Sequence, residues 1–345
     1  MDRPLLSIVV ISHNQKAELK RCIDSILAQQ TVFTKEVIVS DDRSDDGTRE
    51  MLLNEYKDSV ISVFFNSNEY DTSYTLERAS LNRINGLKKA TGKYLIHIDG
   101  DDFFTGSDVF QIMVDTLESH PECNLCCQNY YIKQYDKLED RVEPVKPMEL
   151  FNKEPVLTGS EFIDRIGVGH NTSFCLRRTG NVLIDDLTSA TYDDIDITFR
   201  YLGTGKIALI DKCDFIYVLY PGSSSTSMTL KEKYIMYNTY ITGIPLAPAI
   251  AGVLLRKYMK SVARISLEGM INSQYPARMV RFCRKLNLRI LQGFNEEMRI
   301  RDRIRYGLMF LVSGSIAAMP IKTKGMLRLI YKLAINKKIT NDVVL

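Results

Sequence analysis

Leu5-Leu-Ser-Ile-Val-Val-Ile11 constrains the fold more than any other stretch of this chain. It is apolar at every position but Ser7, without the alternation of a half-exposed strand. Such a run predicts a strand buried on both faces, which needs parallel neighbours and helices above and below. The chain supplies both. After Ser12-His13-Asn14, residues Leu19, Cys22, Ile23, Ile26 and Leu27 recur at the spacing of one helix face. Strands are predicted over 36–40, 60–65 and 92–99, and helices after Thr48, over 76–90 and over 108–119. This β-α-β-α alternation specifies an α/β protein, a doubly wound, mostly parallel sheet with helices on both faces. Further on, 171–176, 206–210 and 214–219 read as strands and 193–202 as a helix. The charged, proline-bearing stretch 137–155 reads as a surface connection.

A chain of 345 residues has room for one large domain and a smaller one. Its net charge of +3 conceals two opposed halves. Residues 254–345 carry 19 Lys/Arg against 5 Asp/Glu, a net of +14, while the remainder carries 26 against 37, a net of −11. An acidic body with a basic tail implies two tasks. The seven cysteines are odd in number and lie mostly among apolar residues, which favours reduced thiols in the cytosol. Cys123-x-x-Cys126-Cys127 lacks a second Cys/His pair at zinc spacing and reads as thiols on a strand. Met1-Asp-Arg-Pro4 leads straight into a strand, without the basic-then-apolar pattern of a signal peptide.

Two acidic clusters carry the chemistry. Asp99-Gly-Asp101-Asp102 places three carboxylates in four residues at the end of a buried strand. Such charges repel one another, and a divalent cation with oxygen ligands, Mn²⁺ or Mg²⁺, neutralises them. In an open α/β sheet, ligands sit outside the carboxyl ends of the strands, where these acids fall. An acidic turn before the next helix is the plainer alternative. The second cluster, Asp193-Asp194-Ile-Asp196, opens a helix, where carboxylates are favoured by the helix dipole. His170 lies in the turn Gly167-Val-Gly-His-Asn171, and reads either as a turn histidine or as a contact to an acceptor or phosphate.

Four segments in order resemble the family 2 glycosyltransferases, nucleotide-sugar-dependent enzymes of GT-A fold. They are Ser7–Asn14, Val39-Ser-Asp41-Asp42-Arg-Ser-Asp-Asp46-Gly47-Thr48, Arg83-Ile-Asn-Gly86…Ala90-Thr-Gly92-Lys-Tyr94 and Asp99-Gly-Asp101-Asp102. The block Asp193-Asp194-Ile-Asp196…Arg200 is similar to the family's E-D-x-D-L-x-x-R, and the likeness spans roughly residues 4–230. It implies donor binding by Ser12, His13, Asp42, Arg83, Asp99 and Asp102, and metal binding by Asp101 with Asp99. In these roles His13 stacks on the base, replacing the family's usual Tyr, and Asp42 accepts from a uracil N–H. Arg83 offers its fork to the diphosphate and Asp99 meets the ribose. Asp194 is implied as the general base, with Asp193 in the slot usually filled by Glu; Asp193 and, from its own turn, His170 stand as acceptor-side or supporting residues. Tyr220-Pro-Gly-Ser…Thr226 resembles a closing loop without the family's usual Arg.

The implied protein is an inverting, metal-dependent glycosyltransferase, UDP-sugar-using, with a glycan or lipid-linked acceptor, in cell-surface polysaccharide or glycolipid synthesis. A silent nucleotide-sugar-binding scaffold is the rival, and the intact Asp99, Asp101 and Asp194 argue against it. The expected organisation is a catalytic domain over 1–230 and a helical basic region over 231–345. Arg299-x-Arg-x-Arg-x-Arg305 precedes an uncharged run of roughly sixteen residues, short of the ~20 that span a bilayer. Basic, apolar helices of this kind lie on anionic membrane, so the expected location is cytoplasmic, on the inner face of the cell membrane. A packed helical subdomain or a homo-oligomer interface is the alternative. Nucleic acid is not expected, since the region has few aromatics and no binding motif.

Overall fold

A computed structural model describes residues 3–57, 59–66, 75–135, 140–145, 155–167, 169–179, 193–220, 250 and 253. For 75–77, 135, 140–143 and 193–196 it describes the backbone alone. By internal contacts the chain divides into two units, Met1–Ser227 with Thr242–Val253, and Met228–Ile241 with Leu254–Leu345. Every element below belongs to the first.

The strands are β1 (Leu6–Ser12), β2 (Lys35–Asp41), β3 (Ile61–Phe65), β4 (Tyr94–Asp99), β5 (Phe103–Phe104) and β6 (Cys123–Gln128). They continue with β7 (Tyr130–Tyr135), β8 (Asp140–Val145), β9 (Val156–Thr158), β10 (Phe174–Arg177), β11 (Lys206–Ile210) and β12 (Phe215–Leu219). The helices are α1 (Lys16–Leu27), α2 (Thr48–Glu55), α3 (Thr75–Leu87), α4 (Val109–Ser119), α5 (Gly159–Arg165) and α6 (Asp193–Thr204). One sheet runs β3-β2-β1-β4-β10-β6-β11-β9 and a second runs β5-β12-β7-β8. In the large sheet β10 and β9 run against the other six strands, so the sheet is mostly parallel, as the alternation requires.

All seven residues of β1 are buried, which is the burial on both faces that its composition predicts. Ile8, Val10, Ile96 and Ile98 pack with Leu19, Ile23 and Ile26 of α1 and Phe110 and Met113 of α4. The opposite face is covered by α3, whose Gly86 comes so close that a Cβ there would lie 2.6 Å from Val9 Cγ1. A side chain at Gly86 would therefore push α3 off the sheet. Chain order reverses between β1 and β4, both parallel and adjacent, and this switch point opens a crevice at their carboxyl ends.

The structure corrects the reading of 137–155. Residues 140–145 form β8, paired antiparallel with β7, so part of the expected connection is a strand. Its proline, Pro144, lies in this edge strand of the second sheet, where a missing N–H is tolerated. Residues 171–173 are a 3-10 turn before β10 and not the start of the strand. The six described cysteines are free thiols, and five of them are buried.

Candidate active site

The crevice is walled by two strand-end loops. On one side, β2 ends in Asp41 and Asp42, buried to 1% and 3% exposure. Asp41 is consumed by its own turn, accepting from the Ser44 N–H at 3.0 Å and the Ser44 hydroxyl at 2.5 Å. Asp42 is fixed through its backbone: its N–H donates to the Ser12 carbonyl at 2.9 Å, and its carbonyl accepts from His13 Nδ1 at 2.7 Å. A carbonyl only accepts, so the His13 proton sits on Nδ1. That bond orients an exposed imidazole just beyond the end of β1.

The Asp42 carboxylate is held by a residue that sequence reasoning missed. Arg78 of α3 donates Nε and Nη2 to Oδ2 at 2.9 and 2.6 Å. Oδ1 is buried and accepts no hydrogen bond, with Arg43 Nε 3.5 Å away. The Ser12 hydroxyl is likewise buried without a partner. Behind them, buried Asn82 donates to the carbonyls of Ser12 and Ser40 and accepts from the Ser40 hydroxyl, tying α3 to β1 and β2. Nothing local to Asn82 signals this node, since its partners lie on other strands.

On the other side, Asp99 ends β4 and Asp101 and Asp102 follow it. A Cβ at Gly100 would lie 2.8 Å from the Ile11 carbonyl, so glycine lets this turn close onto the end of β1. Arg83 of α3, 5% exposed, donates Nη2 to Asp99 Oδ1 at 2.6 Å, so the arginine expected at the diphosphate has a carboxylate partner within the protein. Lost hydration works to raise the Asp99 pKa, but the charge and hydrogen bond of Arg83 hold it below the ordinary value. Burial and the neighbouring Asp99 charge push Asp101 up to about 7. Asp102 is fully buried, and its pKa is raised well above the usual range by burial and then by Asp101. Its Oδ1 accepts from the Val218 N–H of β12 at 2.9 Å, anchoring the acidic turn to the second sheet, while Oδ2 accepts no hydrogen bond.

His170 is placed behind that turn. Nε2 lies 4.0 Å from Asp102 Oδ2, and the ring packs against Tyr217 with centroids 3.9 Å apart and against Phe215. Burial lowers its pKa to about 4, so it is neutral near pH 7. It supports the acidic turn from an aromatic cluster. Arg21 of α1 adds a brace, donating Nη2 to the Asp101 carbonyl at 2.9 Å and to the Tyr220 hydroxyl at 3.3 Å. Asp193 opens α6 as expected, and the side chains of Asp193 and Asp194 lie outside the described residues, as does the rest of the closing loop beyond Tyr220.

Among the described residues, no group of three or more His, Cys, Asp or Glu side chains converges to hold a metal. The donor set nevertheless suits a hard cation bound through one carboxylate. Mg²⁺ commonly takes one or two carboxylates and completes its shell with water and substrate phosphates. Asp101, crowded by Asp99 and driven toward protonation near pH 7, is the carboxylate that such a cation would relieve.

The sequence profile described as "Glycosyl transferase family 2" matches residues 7–176, which contain both walls of the crevice. An uncharacterized glycosyltransferase of Bacillus subtilis (strain 168), EpsJ, is 25% identical over 94% of this chain and 90% of its own length. The Escherichia coli UDP-Glc:alpha-D-GlcNAc-diphosphoundecaprenol beta-1,3-glucosyltransferase WfgD is 36% identical over 30% of this chain and 38% of its own. Among solved structures, S. aureus TarS 1–349 in complex with UDP superimposes with a TM-score of 0.60 at 14% identity, covering 90% of each chain. That likeness is one of fold, the GT-A arrangement of a mostly parallel sheet between helices. Three of the four motifs stand at the carboxyl ends of β1, β2 and β4, the fourth leads from α3 into β4, and residues 7–176 match the glycosyl transferase family 2 domain.

Proposed function

We propose that the chain is an inverting glycosyltransferase that moves a sugar from a UDP-sugar to a hydroxyl of a glycan or lipid-linked acceptor. One observation carries the reading: a buried carboxylate oxygen of Asp42 lacks a donor beside an exposed, oriented His13, across the crevice from Asp99–Asp102. A buried acceptor of this kind favours a base that offers a ring N–H, because one without it leaves the oxygen unpaired. His13 forms the stacking platform, Ser12 lines the pocket, and Asp99, held by Arg83, faces the ribose. Arg83, beside Asp99, is the guanidinium we assign to the diphosphate. Asp194, at the start of α6, takes the proton of the acceptor hydroxyl as its oxygen bonds to C1. The C1–O bond to the diphosphate breaks, and the leaving group keeps the electron pair. Mn²⁺ or Mg²⁺ at Asp101 would add positive charge where the diphosphate departs. WfgD, named for transfer from UDP-Glc to a diphosphoundecaprenol-linked GlcNAc, supports the donor and acceptor classes.

We assign the region beyond residue 230 to the cytoplasmic membrane face, on the strength of its net charge of +14 over 254–345. Cosedimentation with vesicles, with and without anionic lipid, tests that assignment; binding indifferent to lipid charge and salt would overturn it. The chemistry is tested by screening UDP-sugars with an undecaprenyl-diphosphate-linked sugar for UDP release and its loss on chelation. UDP binding without turnover for any donor would mean a silent binding protein instead.

A further inference from the structure

One helix, α3, sends two arginines to the two walls of the crevice. Arg83 reaches Asp99 beyond β4, and Arg78 reaches Asp42 beyond β2. Only Arg83 falls within the family-like motif, and Arg78 is five residues upstream, where no sequence pattern points to it.

We propose that Arg78 is a specificity-determining residue of the base pocket, setting Asp42 so that one oxygen accepts a ring N–H from the base. This rests on the donor reading above. Both N–H groups of Arg78 converge on Oδ2. Two bonds to one oxygen fix the plane of the carboxylate, which the backbone contacts of Asp42 to Ser12 and His13 already anchor. The Asp42 side chain is 4% exposed, and its buried Oδ1 accepts no hydrogen bond, its nearest charge partner being Arg43 Nε at 3.5 Å from a half-exposed side chain. Uracil meets such an acceptor with its N3–H. Cytosine presents a lone pair at the same ring position and would face the carboxylate with like polarity. Without Arg78 the carboxylate can rotate and share both oxygens with water or with an amino group, so discrimination falls as well as affinity.

Calorimetric titration of the full chain with UDP and with CDP tests this, because it needs neither sugar nor acceptor. The intact protein is expected to favour UDP. In Arg78→Ala the preference for UDP over CDP should fall roughly tenfold, mostly through weaker UDP binding. Arg78→Lys, which keeps the charge but not the two-pronged contact, should recover only part of that preference. If Arg78→Ala is unstable, Arg78→Lys and Arg78→Gln carry the same comparison. An equal loss for UDP and CDP would make Arg78 a general structural contact and overturn the inference. Tighter UDP binding in the variant would make it a blocking group and overturn it too. Failure of the intact protein to bind UDP would instead overturn the donor reading itself.

Discussion

The loop Asp41–Gly47 carries four aspartates and the turn Asp99–Asp102 carries three, yet they handle their charge in opposite ways. In the first, Asp41 and Asp46 direct every carboxylate oxygen at local donors. Asp46 accepts from the N–H and hydroxyl of Thr48 at 3.0 and 2.6 Å and from the N–H of Lys16 at 2.9 Å. It thereby satisfies the first backbone N–H of α2 from within its own loop and that of α1 from a neighbouring one. Asn14 and the Ser44 hydroxyl complete the strap between the loops, Asn14 accepting from the Asp45 N–H. In the second, Arg83 balances Asp99, while Asp101 and Asp102 are pushed toward protonation by burial and mutual repulsion. Apart from Oδ1 of Asp42, the first loop is finished by folding. The second keeps two carboxylates whose charge burial and their neighbours oppose, the arrangement that the proposed cation at Asp101 would relieve.

Asp101→Asn tests that contrast most severely. It should reduce transfer by roughly a thousandfold or more, since it removes the carboxylate assigned to the cation at the departing diphosphate. Stability should not fall, because the charge removed is one that folding opposes. Steady-state UDP release with a matched thermal melt measures both. A variant that melts well below the parent while retaining turnover would make this turn a structural element like the first.

Asp194→Asn lies outside both loops and separates binding from turnover. Turnover should drop on the order of a hundredfold for a lost general base, with UDP affinity nearly unchanged. Parallel losses of donor affinity and rate, measured by titration and assay, would demote Asp194 to a helix cap.

Asp46→Ala attacks the finished loop. Losing its hydrogen bonds to the first N–H of α1 and of α2 should cost about 2 kcal/mol in all, at ~1 per helix start, seen as a lower melting temperature. A variant as stable as the parent would show that the strap between the loops is redundant.

The smallest effect is one of pH. Burial alone would raise Asp46, but hydrogen bonds from Thr48 and Lys16 hold its pKa below normal. The folded pKa lies below the unfolded value of about 4, so this contribution is full above that pH and is lost as pH falls through the folded value. The melting difference between the parent and Asp46→Ala should therefore hold steady from neutral pH to about 5 and shrink only below about 4. A difference that vanished between pH 7 and 6 would point to another group.

Much of the fold was written in short-range pattern. The apolar run of β1, interrupted only at Ser7, demanded burial on both faces, and the Leu19, Cys22, Ile23, Ile26 stripe demanded a helix packed against it; both are met. The same patterns placed Asp42 and Asp99–Asp102 at strand ends, because a polar residue ends such a run where the chain leaves the sheet. Strand β7, within 130–135, and the α5 helix were not legible, since neither has a long stripe or an unbroken apolar run. The short β10 reads as a strand, but nothing in its four residues says that it inserts antiparallel between β4 and β6.

Periodicity is fixed by neighbours three or four residues apart, so the sequence by itself determined which segments are strands and helices and where the acidic clusters stand on them. Partners were decided only by the tertiary structure. Arg78 meets Asp42 across 36 residues, and the Val218 N–H meets Asp102 across 116. Such contacts depend on register and crossover geometry, in which a one-residue slip turns a side chain to the opposite face. The chain alone named the carboxylates; the fold chose which are satisfied by the protein and which are left for a ligand.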